Sequence, residues 1–376
     1  MELRCAVTQT AGIASTSPTW RFTMKLRLAR SETELRDLFW QLKSPKDVAA
    51  LLEIPYPVLV FNVFKLPSGR KYTSFLIPKK TGGHRQIRAP ISNIKIMQQK
   101  LNSVLQLVFR PKSCVHGFII RRSIVSNAKR HTNKRYVLNV DLKDFFPSVN
   151  FARVFGMFKA YPYHFHPNVA TVLARICCDE FDFPQGAPTS PIISNMICAK
   201  MDSQLKQLAQ EVKCWYSRYG DDLTFSTSKD TFPSELATSG PTGAKVGGRL
   251  EGIIAGNHFE INKSKVRIQE FTERQVVTGL IVNRGVNVSR AYIRQIRAML
   301  HAWHRYGLEN AHREHLTRFR KKHQGPFMSE PRFENVLRGK IEFLGMVRGS
   351  EDSSYQRYLS EFNVLNELDE TESRVS

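Results

Sequence analysis

The chain has 376 residues, of which 41% are hydrophobic and 24% charged, a composition that is ordinary for a folded protein and excludes a disordered or fibrous one. No apolar run is long enough for a membrane-spanning helix, and the N-terminus lacks the apolar segment of a secretory signal, so we expect a cytoplasmic protein without a membrane partner. The net charge is +23, and because residues 350–376 carry −5, the remainder carries +28. Such a basic body favours a nucleic-acid partner over a surface tuned only for solubility.

Composition and hydrophobic patterning divide the chain into consecutive regions. Residues 1–24 are rich in Thr, Ser and Ala and are predicted to be poorly ordered. Residues 25–283 mix helical and strand-like patterns, and within them the Gly-, Pro-, Ser- and Thr-rich segment 230–248 is predicted to be a surface loop. Residues 284–349 are predicted to form basic helices, and residues 350–376 to form an acidic C-terminal tail.

Three aspartates lie at the ends of strand-like segments. Asp141 follows the β-rich run VLNV, and Asp221 and Asp222 follow Gly220 at a turn between KCWYSRY and LTFSTS. A hairpin tip beside the end of another strand would gather three carboxylates, which is unfavourable unless cations neutralise them. Oxygen ligands suit Mg²⁺, and a pair of such ions activates a 3′-hydroxyl and stabilises a leaving pyrophosphate. Taken alone, however, Gly-Asp-Asp is more typical of an exposed turn with two solvated aspartates.

Five motifs in a fixed order change this interpretation: YVLNVDLKDFFPSV, FPQGAPTSPIISNMI, YGDDLTF, NHFEINKSKVRI and VVTGLIVN. Together they resemble the reverse transcriptase family, over roughly residues 70–345. The resemblance implies an α+β fold of the right-hand polymerase type, with fingers and an antiparallel-sheet palm in residues 25–283 and a helical thumb in residues 284–349. It also implies an RNA-directed DNA polymerase that uses deoxynucleoside triphosphates and two Mg²⁺ ions, with Mn²⁺ as a substitute.

The resemblance assigns roles to individual residues. Asp141 and Asp221 match the principal metal-binding aspartates, Asp222 matches a lesser ligand, and the main-chain carbonyl of Leu142 would complete one coordination shell. Phe146 matches the aromatic residue that lies under the incoming sugar and excludes a 2′-hydroxyl, and core packing is its alternative role. The other residues expected at the nucleotide are Lys79 and Arg85 on the triphosphate, Gln185 and Gly186 in the pocket, and Lys265 near the triphosphate or leaving group. For the basic side chains, a solvated surface charge is the alternative.

Two short boxes narrow the resemblance to retron reverse transcriptases. Residues 127–131 read Asn-Ala-Lys-Arg-His and residues 277–279 read Val-Thr-Gly, and both look like boxes of that group in type and placement. The resemblance implies RNA contacts by five residues of these boxes: Asn127, His131, Val277, Thr278 and Gly279. For His131, a histidine that braces a turn is the alternative. Gly220 is a departure, because retron enzymes more often have Ala there.

Basic residues recur with helical spacing in the C-terminal region. Offsets of three and four residues place the following side chains on one helical face: Arg290, Arg294, Arg297, His301 and Arg305. Ile293, Ile296, Leu300 and Trp303 form a separate stripe that is predicted to pack inward. We expect the basic face to contact the phosphates of a bound duplex, and an ordinary amphipathic surface helix is the alternative.

The resemblance to retron enzymes implies a complete reaction. The enzyme would copy part of a cognate structured noncoding RNA into a branched, RNA-linked single-stranded DNA (msDNA), priming from a 2′-hydroxyl of that RNA. A separate effector protein and a role in antiphage defence would accompany it. The alternatives are a group II intron-like or abortive-infection reverse transcriptase, or a nucleic-acid-binding scaffold with an idle polymerase site. The presence of Asp141, Asp221, Asp222 and Phe146 argues against the idle scaffold.

Overall fold

The computed structural model describes residues 26–78, 82–179, 183–240, 243–322 and 330–375. The predicted N-terminal extension, residues 1–24, and Lys79 therefore lie outside the described residues. In chain order the first half contains α1 (Glu32–Trp40), α2 (Pro45–Leu51), α3 (Tyr56–Val60, extended by the π-helical turn Phe61–Lys65), β1 (Tyr72–Pro78), β2 (His84–Pro90), α4 (Ser92–Val108), α5 (Ile124–Ala128), β3 (Tyr136–Lys143), α6 (Phe151–Lys159) and α7 (Pro167–Cys177).

The second half of the chain contains the remaining sheet and three long helical segments. Its elements are α8 (Ser190–Ile197), α9 (Ala199–Glu211), β4 (Trp215–Tyr219), β5 (Asp222–Thr227), β6 (Ala237–Gly240), β7 (Gly243–Val246), α10 (Gly248–Gly256), β8 (Glu260–Ile261), β9 (Arg267–Glu270), β10 (Val276–Val277), β11 (Leu280–Ile281), α11 (Arg290–Lys322), α12 (Phe333–Arg348) and α13 (Ser353–Val375). The helical segment α11 is broken at Gly307, whose φ of 76° and ψ of 164° are not helical.

A five-stranded antiparallel sheet forms the centre of the molecule. Its order is β4-β5-β3-β8, and β9 also pairs with β3. In β3, Leu138 and Val140 are buried on one face of the sheet and Val137 on the other, since successive side chains of a strand point to opposite faces. The first hydrophobic core lies between this sheet and helices α1 to α4 and α6 to α10. The α+β class and the antiparallel central sheet predicted from the sequence are therefore confirmed.

A second hydrophobic core joins the three C-terminal helices to the sheet region. Ile296, Leu300 and Trp303 of α11 are buried there against residues of α12 and α13, and Val277 and Leu280 of the β10–β11 hairpin belong to the same cluster. The inward stripe of α11 predicted from helical spacing is thus confirmed. Helices α11 and α12, which contain the predicted basic region, consequently pack near the β10–β11 hairpin.

Two predictions about irregular structure are wrong. The segment 230–248 is not a plain loop, because β6 and β7 form a hairpin within it and α10 begins at Gly248. Buried Leu236 and Ala237 anchor that hairpin to the core. The acidic segment 350–376 is not a tail, because α13 occupies most of it and buries Tyr358, Phe362 and Leu365 in the second core.

One finding concerns membranes. In the ranges that the structure describes, no single helix is long and apolar enough to cross a bilayer, although the pair Pro45–Leu51 and Tyr56–Lys65, bent by 108°, together meets the length and composition of a broken span. Leu51, Leu59 and Val63 of that pair are buried in the first core.

Candidate active site

The register of the central sheet brings the three predicted aspartates together. Asp141 near the end of β3 is the direct cross-strand partner of Asp222, the first residue of β5. Asp221 precedes it at the tip of the β4–β5 hairpin, and the Leu142 amide donates a 3.0 Å hydrogen bond to the Asp221 carbonyl. Gly220 has a φ of +64°, the left-handed conformation that glycine adopts without strain. The hairpin inferred from Gly-Asp-Asp is therefore confirmed, and it meets the end of β3.

Two of the three carboxyl groups, those of Asp221 and Asp222, have a raised pKa. Asp222 is exposed as a whole residue, but desolvation of its carboxyl group by neighbouring atoms, followed by the charges of Asp221 and Asp141, raises its pKa to about 6. Burial, together with the charge of Asp141, also raises the pKa of Asp221. Opposing them, Lys265 donates from Nζ to both Oδ1 and Oδ2 of Asp141 at 3.0 Å. Lys265, which the sequence predicted near the triphosphate or leaving group, thus directly contacts Asp141, a predicted metal ligand.

The donor chemistry of this cluster fits a hard divalent cation. Within the described ranges, no group of three His, Cys, Asp or Glu side chains is arranged to hold a metal ion. Asp141 instead forms an ion pair with Lys265. Asp221 and Asp222 form no ion pair with another described residue, and their mutual repulsion would be relieved by a cation. Carboxylate oxygens are the ligands that Mg²⁺ prefers. Leu142, whose main-chain carbonyl is a predicted metal ligand, lines the same surface cleft as Asp141 and Asp221.

An open cleft of about 990 Å³ lies in front of the aspartates. It brings together these residues predicted at the nucleotide: Arg85, Phe146, Gln185 and Lys265. Phe146 is half-buried, with ring centroids 6.3 Å from both Phe118 and Phe183, so it both packs on the core and forms part of the cleft wall. The two roles weighed for Phe146 are therefore compatible in this position.

The β1–β2 hairpin is fastened to the loop that precedes α8. The Arg88 amide donates to the Gln185 carbonyl at 2.8 Å, and the Arg88 guanidinium forms an ion pair with buried Asp179. Gly186 has a φ of +109°, and a Cβ there would come within 2.9 Å of the Ile87 side chain. This close approach keeps Arg85 of β2 at the cleft, where its positive charge acts on Asp221.

A buried ion pair behind the hairpin was missed by the sequence analysis. Arg218 and Asp202 have fully buried side chains, and Arg218 donates from Nε and Nη2 to the two carboxylate oxygens at 2.9 and 2.8 Å. Arg218 also donates from Nη1 to the Gly220 carbonyl at 3.0 Å, and Tyr216 donates to Asp202 at 2.9 Å. The charge of Asp202 offsets the burial of Arg218 and keeps its pKa far above the usual range. The pair positions the turn that carries Asp221.

A second missed residue is a glycine that lies against the same turn. A Cβ on Gly117 would come within 2.4 Å of the Gly220 amide nitrogen, so the two backbones approach as closely as only glycine permits. The Asn195 side chain donates from Nδ2 to the Gly117 carbonyl at 2.9 Å and fixes this segment. In the sequence, the only local indication of this close backbone contact is the glycine of His116-Gly117-Phe118.

Three residues of the retron-like boxes for which RNA contact was predicted lie inside the protein, and their contact with RNA stays a prediction. Asn127, His131 and Val277 are completely buried. His131 is hydrogen-bonded at 2.7 Å through each ring nitrogen, to Ser226 of β5 and to Ser217 of β4. The hydroxyl of Ser217 also donates to Asn127 at 2.7 Å. These side chains brace the catalytic hairpin from inside, which agrees with the alternative role considered for His131.

Thr278 and Gly279 lie closer to the surface and beside the aspartates. They form the turn between β10 and β11, with positive φ values of 47° and 83°. Together with Asp222 and Tyr219 they line a cavity of about 490 Å³ that adjoins the carboxylates. The Val-Thr-Gly box therefore places a backbone turn, not a set of side chains, next to the site.

The predicted basic face of α11 is exposed. Five arginines line a groove of about 940 Å³ between the β11–α11 segment and α12: Arg284, Arg290, Arg294, Arg297 and Arg348. His301 and Arg305 continue the same face and are exposed. Arg297 donates from Nε to the Tyr358 hydroxyl at 2.6 Å, so α13 supports this face. Contact with a duplex remains a prediction.

Comparisons with known proteins agree with this geometry. The family model described as "Reverse transcriptase (RNA-dependent DNA polymerase)" matches residues 77–346. The retron Mx65 reverse transcriptase of Myxococcus xanthus is 35% identical over 293 aligned positions, covering 73% of this chain and 66% of that protein. The retron Mx162 reverse transcriptase of the same organism is 32% identical, covering 69% and 59%, and the retron Ec86 reverse transcriptase of Escherichia coli is 33% identical, covering 61% and 69%. The chain thus spans less than two thirds of the length of both Myxococcus relatives, 66% of one and 59% of the other.

Proposed function

The chain belongs to the reverse transcriptase family, and from that membership and the geometry of its site we propose that it is an RNA-directed DNA polymerase of the retron type. Its α+β architecture with an antiparallel central sheet is the right-hand polymerase fold of the family. In this proposal residues 25–283 provide the fingers and palm, and the basic helices of residues 284–349 provide the thumb. The observation that carries the proposal is the register of Asp141 with Asp222 beside Asp221, in a cleft that also contains Arg85 and Lys265.

The aspartates hold the reaction centre. Asp141 and Asp221 would bind two divalent cations, preferably Mg²⁺, with Asp222 and the Leu142 carbonyl as further oxygen ligands. When bound, such ions lower the pKa of a 3′-hydroxyl and stabilise the charge of a departing pyrophosphate. The buried Arg218–Asp202 pair keeps the hairpin turn in place, so the carboxylates do not reorganise during the reaction.

The cleft selects and orients the nucleotide. Arg85 binds the triphosphate, together with Lys79 from outside the described residues, and Gln185 and Gly186 form the floor beneath it. Phe146 occupies the space under the sugar, where its ring leaves no room for a 2′-hydroxyl. Lys265 neutralises Asp141 before the substrate arrives and then turns to the phosphates. The basic side chains thus complement the negative charge of the triphosphate, and the apolar ring complements the deoxyribose.

The retron type is supported by the relatives and by the two boxes. Three curated relatives at 32–35% identity are retron reverse transcriptases. We extend to this chain the copying of a cognate structured RNA, self-priming from an RNA 2′-hydroxyl, a branched msDNA product and a separate effector in antiphage defence. The thumb residues from Arg290 to Arg305 hold the duplex through its phosphates, which agrees with the net charge of +23.

Isolation of the nucleic acid bound to the protein tests the retron type. Expressed with its neighbouring genomic DNA, the protein should copurify with one RNA joined to a short single-stranded DNA, whose 5′ end a debranching enzyme releases. Copying should start at one site without an added primer. A mixture of cellular RNAs without linked DNA would reject the retron type and favour a group II intron-like or abortive-infection enzyme. If the protein extends no primer on any template, the remaining alternative is a nucleic-acid-binding scaffold with an idle polymerase site.

A further inference from the structure

A second large cleft lies outside the active site. Its volume is about 1140 Å³, and it shares no lining residue with the cleft in front of the aspartates. Its walls come from α1, the segment after α4, helix α6 with the residues that follow it, the α8–α9 junction and the loop before β8. None of the roles described above uses this cleft.

Exposed aromatic rings form one side of the cleft. Trp40 is stacked on Tyr163, with ring centroids 5.8 Å apart and planes inclined by only 11°. Tyr163 is in turn packed against Phe158 and Phe165, so the stack is fixed to the core. Trp40 nevertheless remains 44% exposed, and Tyr161 at the rim is 84% exposed. Large aromatic surface left open on a rigid support is suited to receiving another flat ring.

Basic side chains lie among the apolar residues that line the rest of the cleft. No Asp or Glu is among its lining residues. Four of its basic side chains have no hydrogen-bond acceptor or carboxylate among the described residues: Arg36, Arg110, Lys112 and Lys200. Arg153 differs, since it donates to the carbonyls of Ser148, Asn257 and His258 and so holds the wall together. The cleft therefore presents positive charge that the protein itself does not neutralise.

We propose that this cleft binds an unpaired segment of the RNA that the enzyme copies, with a base stacked on Trp40 and the flanking phosphates held by Arg110 and Lys200. This source of the RNA rests on the proposed function. An acidic peptide would use the cations but not the open indole face. A duplex would keep its bases stacked on each other, whereas unpaired RNA bases are free to stack on aromatic side chains. The cleft thereby anchors the RNA at a distance from the aspartates.

Binding measurements with matched variants test the site. The full-length protein, with its active-site cleft filled by a primer–template hybrid, is titrated with fluorescent oligoadenylate at several salt concentrations. Trp40→Ala should weaken binding ~10-fold or more, since stacking of a base on an aromatic ring contributes that much, and Trp40→Phe should retain most of the affinity. Arg110→Glu with Lys200→Glu should reduce the log–log salt slope by about 1.4, for two phosphates of a single strand that are no longer neutralised.

The controls separate the site from general attraction. Lys46→Glu with Lys229→Glu changes the net charge equally at exposed positions outside the cleft, and it should leave the slope unchanged. All cleft variants should extend an annealed primer at the wild-type rate. If the wild type itself does not extend a primer, the proposed function fails, whereas the binding measurements still decide whether the cleft binds RNA. Equal affinity of wild type and Trp40→Ala, or equal slopes in the two double variants, would overturn the RNA site.

A photo-crosslink identifies the occupant in the native complex. Tyr161 is replaced by p-benzoylphenylalanine in the protein purified with its own nucleic acid, since this side chain is exposed at the rim. The expected adduct is removed by ribonuclease. An adduct that only deoxyribonuclease removes, or one with a protein, would overturn the assignment and give the cleft to the DNA product or to a peptide partner.

Discussion

A single side chain, Phe146, lines the cleft that also contains Asp141 and Asp221. If its ring excludes the 2′-hydroxyl, then Phe146→Ala should admit ribonucleotides while the carboxylates remain in place, because the substitution removes only ring volume. The measurement is the ratio of ribonucleotide to deoxynucleotide incorporation on one RNA template. Phe145→Leu is a suitable control, since Phe145 is buried beside Phe146 and packs on Phe259. An unchanged ratio in Phe146→Ala would assign Phe146 to core packing alone.

The buried histidine of the first box should affect stability with a defined sign. Burial, and secondarily the charge of Arg130, lowers the pKa of His131 to about 3. The folded protein keeps it neutral while the unfolded chain protonates it near pH 6.5, so the free energy of unfolding should fall as pH drops below about 6.5, by up to about 1.4 kcal/mol per pH unit. His131→Gln should reduce this slope in urea titrations from pH 7 to 5. His116, with a pKa lowered by burial to about 4, would leave a residual slope of the same sign.

The same histidine distinguishes a brace from an RNA contact. Because His131 links β4 to β5 through Ser217 and Ser226, His131→Ala should reduce self-primed copying and extension of an annealed primer by the same factor. A selective loss of self-priming would instead show that the box takes part in RNA recognition. Sequence alone identified the box but could not give its burial, since the two serines that satisfy it lie 86 and 95 residues away.

At the scale of elements, the β4–β5 hairpin depends on the ion pair behind it. Asp202→Asn would leave Arg218 buried without a full countercharge, and we expect a loss of about 3–5 kcal/mol in the free energy of unfolding. Asp202→Leu with Arg218→Met should recover much of that stability, because both partners become apolar. The double variant should still extend primers poorly, since the Gly220 carbonyl has lost its donor. Wild-type extension by the double variant would show that the pair does not position the hairpin.

Elements with strong local patterns were predictable, and elements set by distant contacts were not. The β-rich runs around Asp141 and Asp221 predicted β3, β4 and β5, and the tight turn at Gly220 followed from its sequence. The β6–β7 hairpin was hidden by Gly and Pro content, and α13 by its acidic composition, although Tyr358, Phe362 and Leu365 have the spacing of a buried helical stripe. The Arg218–Asp202 pair joins residues of different elements and left no local signal.

At the scale of the whole molecule, the basic face of α11 should dominate duplex binding. Replacing Arg290, Arg294 and Arg297 by Ala should weaken binding to a primer–template duplex and lower the slope of log affinity against log salt, by roughly one unit for each phosphate that the variant no longer neutralises. The matched control replaces three exposed lysines elsewhere, Lys46, Lys229 and Lys245. Equal slopes in the two triple variants would mean that the arginine face is turned to solvent in the complex.

Extension of a deoxynucleotide primer on an RNA template in the presence of Mg²⁺ tests the central claim most directly, with wild type compared to Asp141→Asn and Asp221→Asn. We expect the wild type to incorporate deoxynucleotides and each variant to lose at least ~10³-fold in rate, because each lacks a carboxylate that stabilises charge in the transition state. Duplex binding should persist in both variants, since it depends on α11. Near-normal extension by either variant, or no deoxynucleotide incorporation by the wild type, would contradict the assignment of these aspartates as the polymerase site.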